Sequence, residues 1–398
     1  MGTLKHMKKT LAIVTTFFSI VSVASASQPI RNVRRDAVTI VAPVPRGYAV
    51  SGMEFAATTL PGTDGTNYTH GTSQDFSYFA GKGLTVARVA FLWERAQPTL
   101  FGSLATSTYI SQLVTMCNSA SSAGVKILFE PHDFGAYYFG APTSTAYKIG
   151  TTQVPVTAFS NFWSQFVSYI DASTTCPVYG WDLMNEPNGM PTSTTPSNYN
   201  NGSSVTTMEQ AAITAIRATG DTHYIVAETD SYAGLQAFVS QYGANPTPWL
   251  SDPLSKTYYS FHYYFDGDHS GNYSGANQSL AGSGLSVFQA GIYLATVAQW
   301  AIANNVYIAS TTQPAIWIGE YGVPNVTTPI GGGQTITYQD YLTSENDFLN
   351  VMDQYNIAGT QWAAGSWYSS PTALSPANGY TQDADQMQVV GKHLGTTN

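Results

Sequence analysis

With 398 residues, 43% of them hydrophobic and only 10% charged, the chain has a globular composition, and disorder driven by charge is excluded. A net charge of -9 and a pI near 5.1 argue against nucleic acid or an anionic membrane as partner, whereas a neutral ligand suits this balance. The 26 Tyr and 8 Trp could serve a packed core or offer flat faces for sugar rings, and composition leaves both readings open.

The first element in chain order is a leader. Lys5, Lys8 and Lys9 precede an apolar run from Leu11 to Val23, and Ala24-Ser25-Ala26 supplies small residues at the A-x-A positions. This pattern predicts a secretory signal peptide over residues 1–26, cut after Ala26. The run is shorter than the roughly 20 residues of a membrane span, so the mature protein is expected to be secreted, extracellular or periplasmic, with no membrane partner. A polar N-terminal segment, 27–46, then leads into one domain from 47 to 398. Of the two cysteines, Cys117 lies on an apolar helical stripe with Ile110, Leu113 and Val114. A buried free thiol and a disulfide to Cys176 are both open, and no zinc-ligand spacing is present.

From there short β-branched runs alternate with amphipathic helical patterns. Strands are predicted at Tyr48–Phe55, Leu84–Leu92, Lys126–His132, Val178–Glu186, His223–Ala227, Thr257–Tyr264, Ala315–Tyr321 and Gly359–Ala364. Between them, Phe159, Phe162, Trp163, Phe166 and Ile170 recur at helical spacing, and "MEQAAITAIRATG" ends on a glycine stop at Gly220. Further helices are expected at Val287–Ala303, Tyr338–Tyr355 and Asp383–Leu394. Eight strands alternating with helices predict an α/β fold, a (β/α)8 TIM barrel. The competing doubly wound sheet would put a G-x-G-x-x-G after the first strand, and none occurs there. Long polar loops follow strands four, six and seven, and in a barrel they crowd one mouth.

Chemistry in a barrel sits at the C-terminal strand ends. There the sequence places Arg88 and Trp93, His132, Asn185 and Glu186, His262 and Tyr264, Glu320, and Trp362. Pro187 biases Glu186 toward extended backbone, and Gly319 leaves space for a substrate ring beside Glu320. Strict alternation would point Asn185 and Glu186 to opposite faces, so the strand must twist or break there. Two carboxylates across a barrel mouth with aromatics nearby fit glycosidic bond cleavage, in which one protonates the leaving oxygen and the other attacks the anomeric carbon. Arg88 and the Tyr264 hydroxyl would lower the pKa of the attacking group, whose retained charge raises that of its partner. Asn185 could bind the sugar 2-hydroxyl. Singly, each residue has a bland reading: Glu186 as a helix N-terminal charge, His132 and His262 as satisfied core histidines, Trp93 and Trp367 as packing rather than sugar platforms. Their conjunction carries the case.

The segments "FLWERAQPTLFGSL", "GWDLMNEPNGMP", "FHYYFDGDHSG", "IGEYG" and "QWAAGSWY", in that order, resemble glycoside hydrolase family 5, and within it the secreted endo-β-1,4-glucanases. The resemblance implies a retaining (β/α)8 hydrolase with Glu186 as general acid/base and Glu320 as nucleophile. It also implies Arg88, His132, Asn185, His262, Tyr264 and Trp362 around the sugar at the cleavage point. Three segments depart from the family pattern: Asp133 and Phe134 stand where asparagine and tyrosine are usual, "AETDSYAGLQAF" after strand five carries Glu228 and Asp230 in place of a tryptophan, and "GSWYSS" replaces a more aromatic segment.

The expected function is therefore secreted, endo-acting hydrolysis of β-1,4-glucan by a monomer binding a polysaccharide or oligosaccharide. Alternatives are action on mannan or mixed-linkage glucan, transglycosylation, or a non-catalytic carbohydrate-binding barrel. A serine hydrolase is disfavoured, since no G-x-S-x-G occurs. Asp266, Asp268, Ser270 and Gly271 match half a calcium loop, but Asn277 holds the position of the bidentate glutamate. No metal or other cofactor is expected.

Overall fold

A computed structural model describes residues 44–394 except 106–107, 173–174, 193–203, 243–246, 274–288, 325–327, 330–334, 337 and 371. The predicted leader and nearly all of the polar segment lie outside the described residues, as do most of the long loops after predicted strands four, six and seven.

The strands are β1 Arg46–Val50, β2 Val86–Phe91, β3 Lys126–Pro131, β4 Ala136–Phe139, β5 Thr145–Lys148, β6 Val178–Asp182, β7 Tyr224–Glu228, β8 Thr257–Tyr264, β9 Ile316–Gly322, β10 Thr328–Pro329, β11 Thr335–Ile336 and β12 Ala358–Ala364. The helices are α1 Ser73–Gly81, α2 Trp93–Ala96, α3 Thr108–Ala123, α4 Val156–Ala172, α5 Val205–Ala218, α6 Leu235–Tyr242, α7 Gln289–Ala303, α8 Tyr338–Tyr355 and α9 Met387–Val390. Eight strands close into a parallel barrel in the order β1-β12-β9-β8-β7-β6-β3-β2, while β4–β5 and β10–β11 form separate antiparallel pairs. This is the (β/α)8 fold expected from the alternation. The first strand is shorter than predicted and stops at Val50, before Gly52 at φ +147°. The last predicted helix contracts to α9, with turns around it. Among the described residues no helix is long and apolar enough to cross a membrane.

Two apolar layers hold the barrel. Between strands and helices, α4 presents Phe159, Phe162, Trp163, Phe166 and Ile170, all buried, on the stripe its sequence spacing dictates. Phe166 stacks on Phe91 of β2 at 5.0 Å, and Trp181 of β6 stacks on Phe129 of β3 at 5.8 Å. Inside the barrel a smaller cluster plugs the lower end, among it Val86, Leu128, Val226, Tyr258 and Trp317. Because side chains alternate along a strand, the same inward rows continue upward as Arg88, Glu130, Glu228 and His262. The apolar plug and the charged mouth are thus consecutive floors of one barrel.

Cys117 of α3 and Cys176, just before β6, are joined in a disulfide, so the free-thiol alternative does not hold. The bridge spans 59 residues of sequence, enclosing β3, the β4–β5 pair and α4. Loop-closure entropy for that length corresponds to about 4 kcal/mol, and measured disulfides typically deliver about 2–4. Urea unfolding of the Cys117→Ser/Cys176→Ser double variant is expected to show a loss in that range.

Candidate active site

Arg88 stands on β2 with 0% exposure and gathers acceptors from four other strand ends. Its Nε donates to Asp182 at 2.8 Å, Nη1 to Glu320 at 2.8 Å, and Nη2 to both Asn185 at 2.9 Å and Glu228 at 2.8 Å. Glu130 adds a fourth carboxylate, 3.5 Å from Nη1. A buried guanidinium needs acceptors for its fixed fork of donors, and the barrel supplies them.

Glu320 is held at both oxygens. Arg88 occupies Oε1, and the Tyr264 hydroxyl donates to Oε2 at 2.6 Å. Burial alone would raise its pKa. The charges of His262, Arg88 and His132, with the Tyr264 bond, overcome burial and hold the carboxyl below its usual range. Glu186 lies opposite, its side chain 17% exposed. Burial, and beyond it the negative charge on Glu320, keep the Glu186 carboxyl above its usual range against the His262 hydrogen bond. One oxygen of Glu186, one of Glu320 and a nitrogen of His262 all lie within 4.8 Å of one another. That closeness suits direct attack by one carboxylate on a carbon whose leaving group the other protonates; inverting chemistry would need roughly 6.5–9.5 Å to admit a water.

His262 Nδ1 is 2.8 Å from Glu186 Oε1, and its Nε2 is 2.9 Å from Glu228 Oε1. Across the mouth, His132 Nδ1 contacts Glu130 at 3.0 Å and Nε2 faces the Asn185 amide nitrogen at 3.3 Å. The Trp362 ring lies parallel to His132, with centroids 5.1 Å apart. The structure therefore brings Arg88, His132, Asn185, Glu186, His262, Tyr264, Glu320 and Trp362 into one group.

Trp93 does not belong to it. It begins α2 instead of ending β2, is 0% exposed, packs edge-on against Tyr137 and Phe159, and donates its indole N–H to Gln97. An aromatic surrounded on all sides offers no face to a sugar, so this candidate platform is a core residue. Trp367 is 40% exposed on the loop after β12, next to Tyr368, which meets Trp362 edge-on.

Two local expectations are corrected. Glu186 is not extended: its φ is +43°. The strand has ended at Asp182, and the left-handed turn at Glu186 is how neighbouring residues of opposite parity both reach the mouth. The Glu186 N–H donates to Glu228 Oε2 at 2.7 Å, a charge-assisted bond that offsets the strain. Gly319 makes room for protein and not for substrate, since a Cβ there would lie 2.7 Å from His262 Nε2 and 2.9 Å from Ser260 Oγ.

The sequence reading missed Glu130 and Asp182 and met Glu228 only as a departure. An inward arginine at the second strand was the available signal, because such a cation must be neutralised from neighbouring strands. At the other departures, Asp133 accepts the Trp93 N–H at 2.9 Å and Phe134 stands edge-on to His132.

Among the described residues two groups have donor atoms close enough for a metal ion: Glu186, His262 and Glu320, and, away from these, Asp171, Asp221 and His223. In the first, Arg88 already places a cation on Glu320; in the second, Asp221 accepts from Trp181 and pairs with His223 and Arg217. Asp266 of the calcium-like loop accepts from the N–H groups of Gly271 and Tyr273 and from the Ser270 hydroxyl. Its Asn277 lies outside the described residues.

Removing the cation while its carboxylates stay buried is expected to be costly. Arg88→Leu should lower the unfolding free energy by about 3–5 kcal/mol, read from denaturant titration.

A family model described as Cellulase (glycosyl hydrolase family 5) matches residues 48–367. Endo-beta-1,4-glucanase A of Emericella nidulans is 26% identical over 80% of this chain and 82% of its own length. Endoglucanase 3 of Humicola insolens is 28% identical over 81% of this chain and 70% of its own length. The crystal structure of Pseudomonas stutzeri endoglucanase Cel5A in complex with cellobiose superposes with a TM-score of 0.72 at 24% identity, covering 88% of this chain and 92% of that one.

Proposed function

The chain belongs to glycosyl hydrolase family 5 and is a glycoside hydrolase, and on that premise we propose that it is an exported, monomeric endo-β-1,4-glucanase working by double displacement. The carrying observation is the pair Glu186 and Glu320, with oxygens within 4.8 Å and environments that push their protonation in opposite directions. The substrate class rests on the names of the two relatives, both endoglucanases. The leader pattern and the Cys117–Cys176 disulfide support export to an oxidising compartment.

In the first step a Glu320 oxygen attacks the anomeric carbon while Glu186 gives its proton to the departing glycosidic oxygen, leaving a glycosyl ester on Glu320. In the second step Glu186, now ionised, takes a proton from water as the water oxygen attacks the same carbon. The ester bond breaks and both carboxyls return to their starting states. Arg88 and Tyr264 keep Glu320 ionised and fix its two oxygens. Asn185 is the group we assign to the 2-hydroxyl: its carbonyl is tied to Arg88, and its amide nitrogen faces His132 beside the two carboxyls. His132 and Trp362 form one wall of the sugar site.

Rates on soluble β-1,4-glucan should follow a bell against pH. The acid limb, set by Glu320, lies below the ordinary carboxyl range, and the alkaline limb, set by Glu186, lies above it. Glu320→Ala is expected to reduce turnover to background. Glu186→Ala should lose roughly 10²–10⁴-fold on glucan while still cleaving aryl glycosides whose leaving groups need no proton. Reducing-sugar release across glucan, mannan and mixed-linkage substrates, with proton NMR of the first-formed anomer, tests the reading. A first-formed α-anomer, or turnover of mannan but not of β-1,4-glucan, would overturn it.

A further inference from the structure

The carboxylate of Glu228 meets the Glu186 backbone directly and the Glu186 carboxyl through His262. At the C-terminus of β7, and 1% exposed, it accepts the Glu186 backbone N–H on Oε2 and the His262 Nε2–H on Oε1, while His262 Nδ1 meets the Glu186 carboxyl. Its segment follows strand five, where the chain departs from the family pattern, so the motif residues assign Glu228 nothing. We infer that Glu228 is a positioning residue for the acid/base, holding the transferable proton on the His262–Glu186 pair and fixing the Glu186 backbone turn. This inference rests on the catalytic roles proposed above for Glu186 and Glu320.

Hydrogen accounting gives the reason. Oε1 of an ionised Glu228 can only accept, so His262 Nε2 must carry a hydrogen. Nδ1 and Glu186 Oε1, 2.8 Å apart, then share one further proton. It resides on the carboxyl, with Nδ1 accepting, or on the imidazole, with the carboxylate accepting. A negative charge one bond away favours keeping that proton in either place. Burial would raise the Glu228 carboxyl itself, but the charges of His262 and then Arg88 hold it below its usual range, so it is ionised when the pair is loaded. The other charged or titratable groups facing this site are Arg88 on β2, Glu130 and His132 of β3 and its end, Asp182 on β6, the neutral Tyr264 hydroxyl on β8 and Glu320 on β9. Glu209 of α5 acts on Glu228 from behind. Among these carboxylates, Glu228 is the one hydrogen-bonded to both His262 and the Glu186 backbone.

The test compares the full-length protein with Glu228→Gln and Glu228→Asp on two substrates, a cello-oligosaccharide and 2,4-dinitrophenyl β-cellobioside. The dinitrophenolate leaves without a proton; the sugar does not. Glu228→Gln is expected to move the alkaline limb of kcat/KM down by about one pH unit. It should cut kcat/KM, which reports the first step, by about 10²-fold on the oligosaccharide and by less than about tenfold on the dinitrophenyl substrate, whose departure needs no proton. Glu228→Asp keeps the charge but withdraws the carboxylate by one methylene. Its alkaline limb should stay near that of the unaltered protein while the split between substrates persists, and it decides the matter if the glutamine variant does not fold. Equal losses on both substrates with an unmoved alkaline limb would show Glu228 to be only a counter-ion for Arg88 and overturn the inference. An unaltered protein inactive on both substrates would overturn the glucanase reading, and the inference with it.

Discussion

One buried guanidinium organises this barrel. Arg88 has no water to solvate it, and taking such a cation out of water costs several kcal/mol unless acceptors replace the lost shell. Asp182, Glu228 and Glu320, with the Asn185 carbonyl, do so from β6, β7, β9 and the segment after β6. Those partners belong to segments far apart in sequence, so their meeting depends on barrel closure, and closure places them at one level. The register follows: Arg88 lies beside Leu128, two residue pairs below Glu130, the next residue of β3 on the same face. The shared cation helps hold Glu228 and Glu320 below the usual carboxyl range, while burial pushes Asp182 and Glu130 up despite it, so the cluster need not carry a full charge on every carboxyl.

From that arrangement the two proposed catalytic carboxyls acquire opposite characters. Glu320 receives both the cation and a phenolic hydroxyl, so ionisation is favoured despite burial. Glu186 lies beyond reach of Arg88, partly exposed at the mouth, with a histidine that can take or give its proton. Each needs the other: the charge that Arg88 keeps on Glu320 helps keep the proton on Glu186. A change at Arg88 would therefore alter both limbs of the chemistry and the stability of the fold.

The parts of this structure legible in the sequence are those governed by local periodicity. The strand and helix alternation, the α4 stripe and the same-face pair His262 and Tyr264 follow from spacings of two or three to four residues, which packing preserves. The proposed catalytic pair was legible because barrel strand ends collect polar groups. Three features were not. Trp93 reads as a strand-end aromatic, but one extra residue starts α2 and turns the ring into the core. Glu186 reads as extended because proline follows it, yet a hydrogen bond to Glu228, set by tertiary contact, selects the left-handed turn. Gly319 reads as space for a ligand, whereas the neighbour claiming that space is His262 of the adjoining strand. Each is decided by a partner remote in sequence, which propensity cannot represent.

The departures from the family pattern fall into place as differences in what supports the centre. Asp133 tethers the Trp93 N–H, and burial and then Glu94 raise its carboxyl well above the usual range. It thus favours a neutral, packed state and ties the floor of the mouth to the core. Glu228 stands buried at the end of β7, bonded to Arg88, His262 and the Glu186 backbone N–H. Both changes invest the segment in holding chemistry in place. The Trp367 and Tyr232 rings, 40% and 54% exposed, are by contrast not enclosed by such contacts and keep part of their flat apolar surface open.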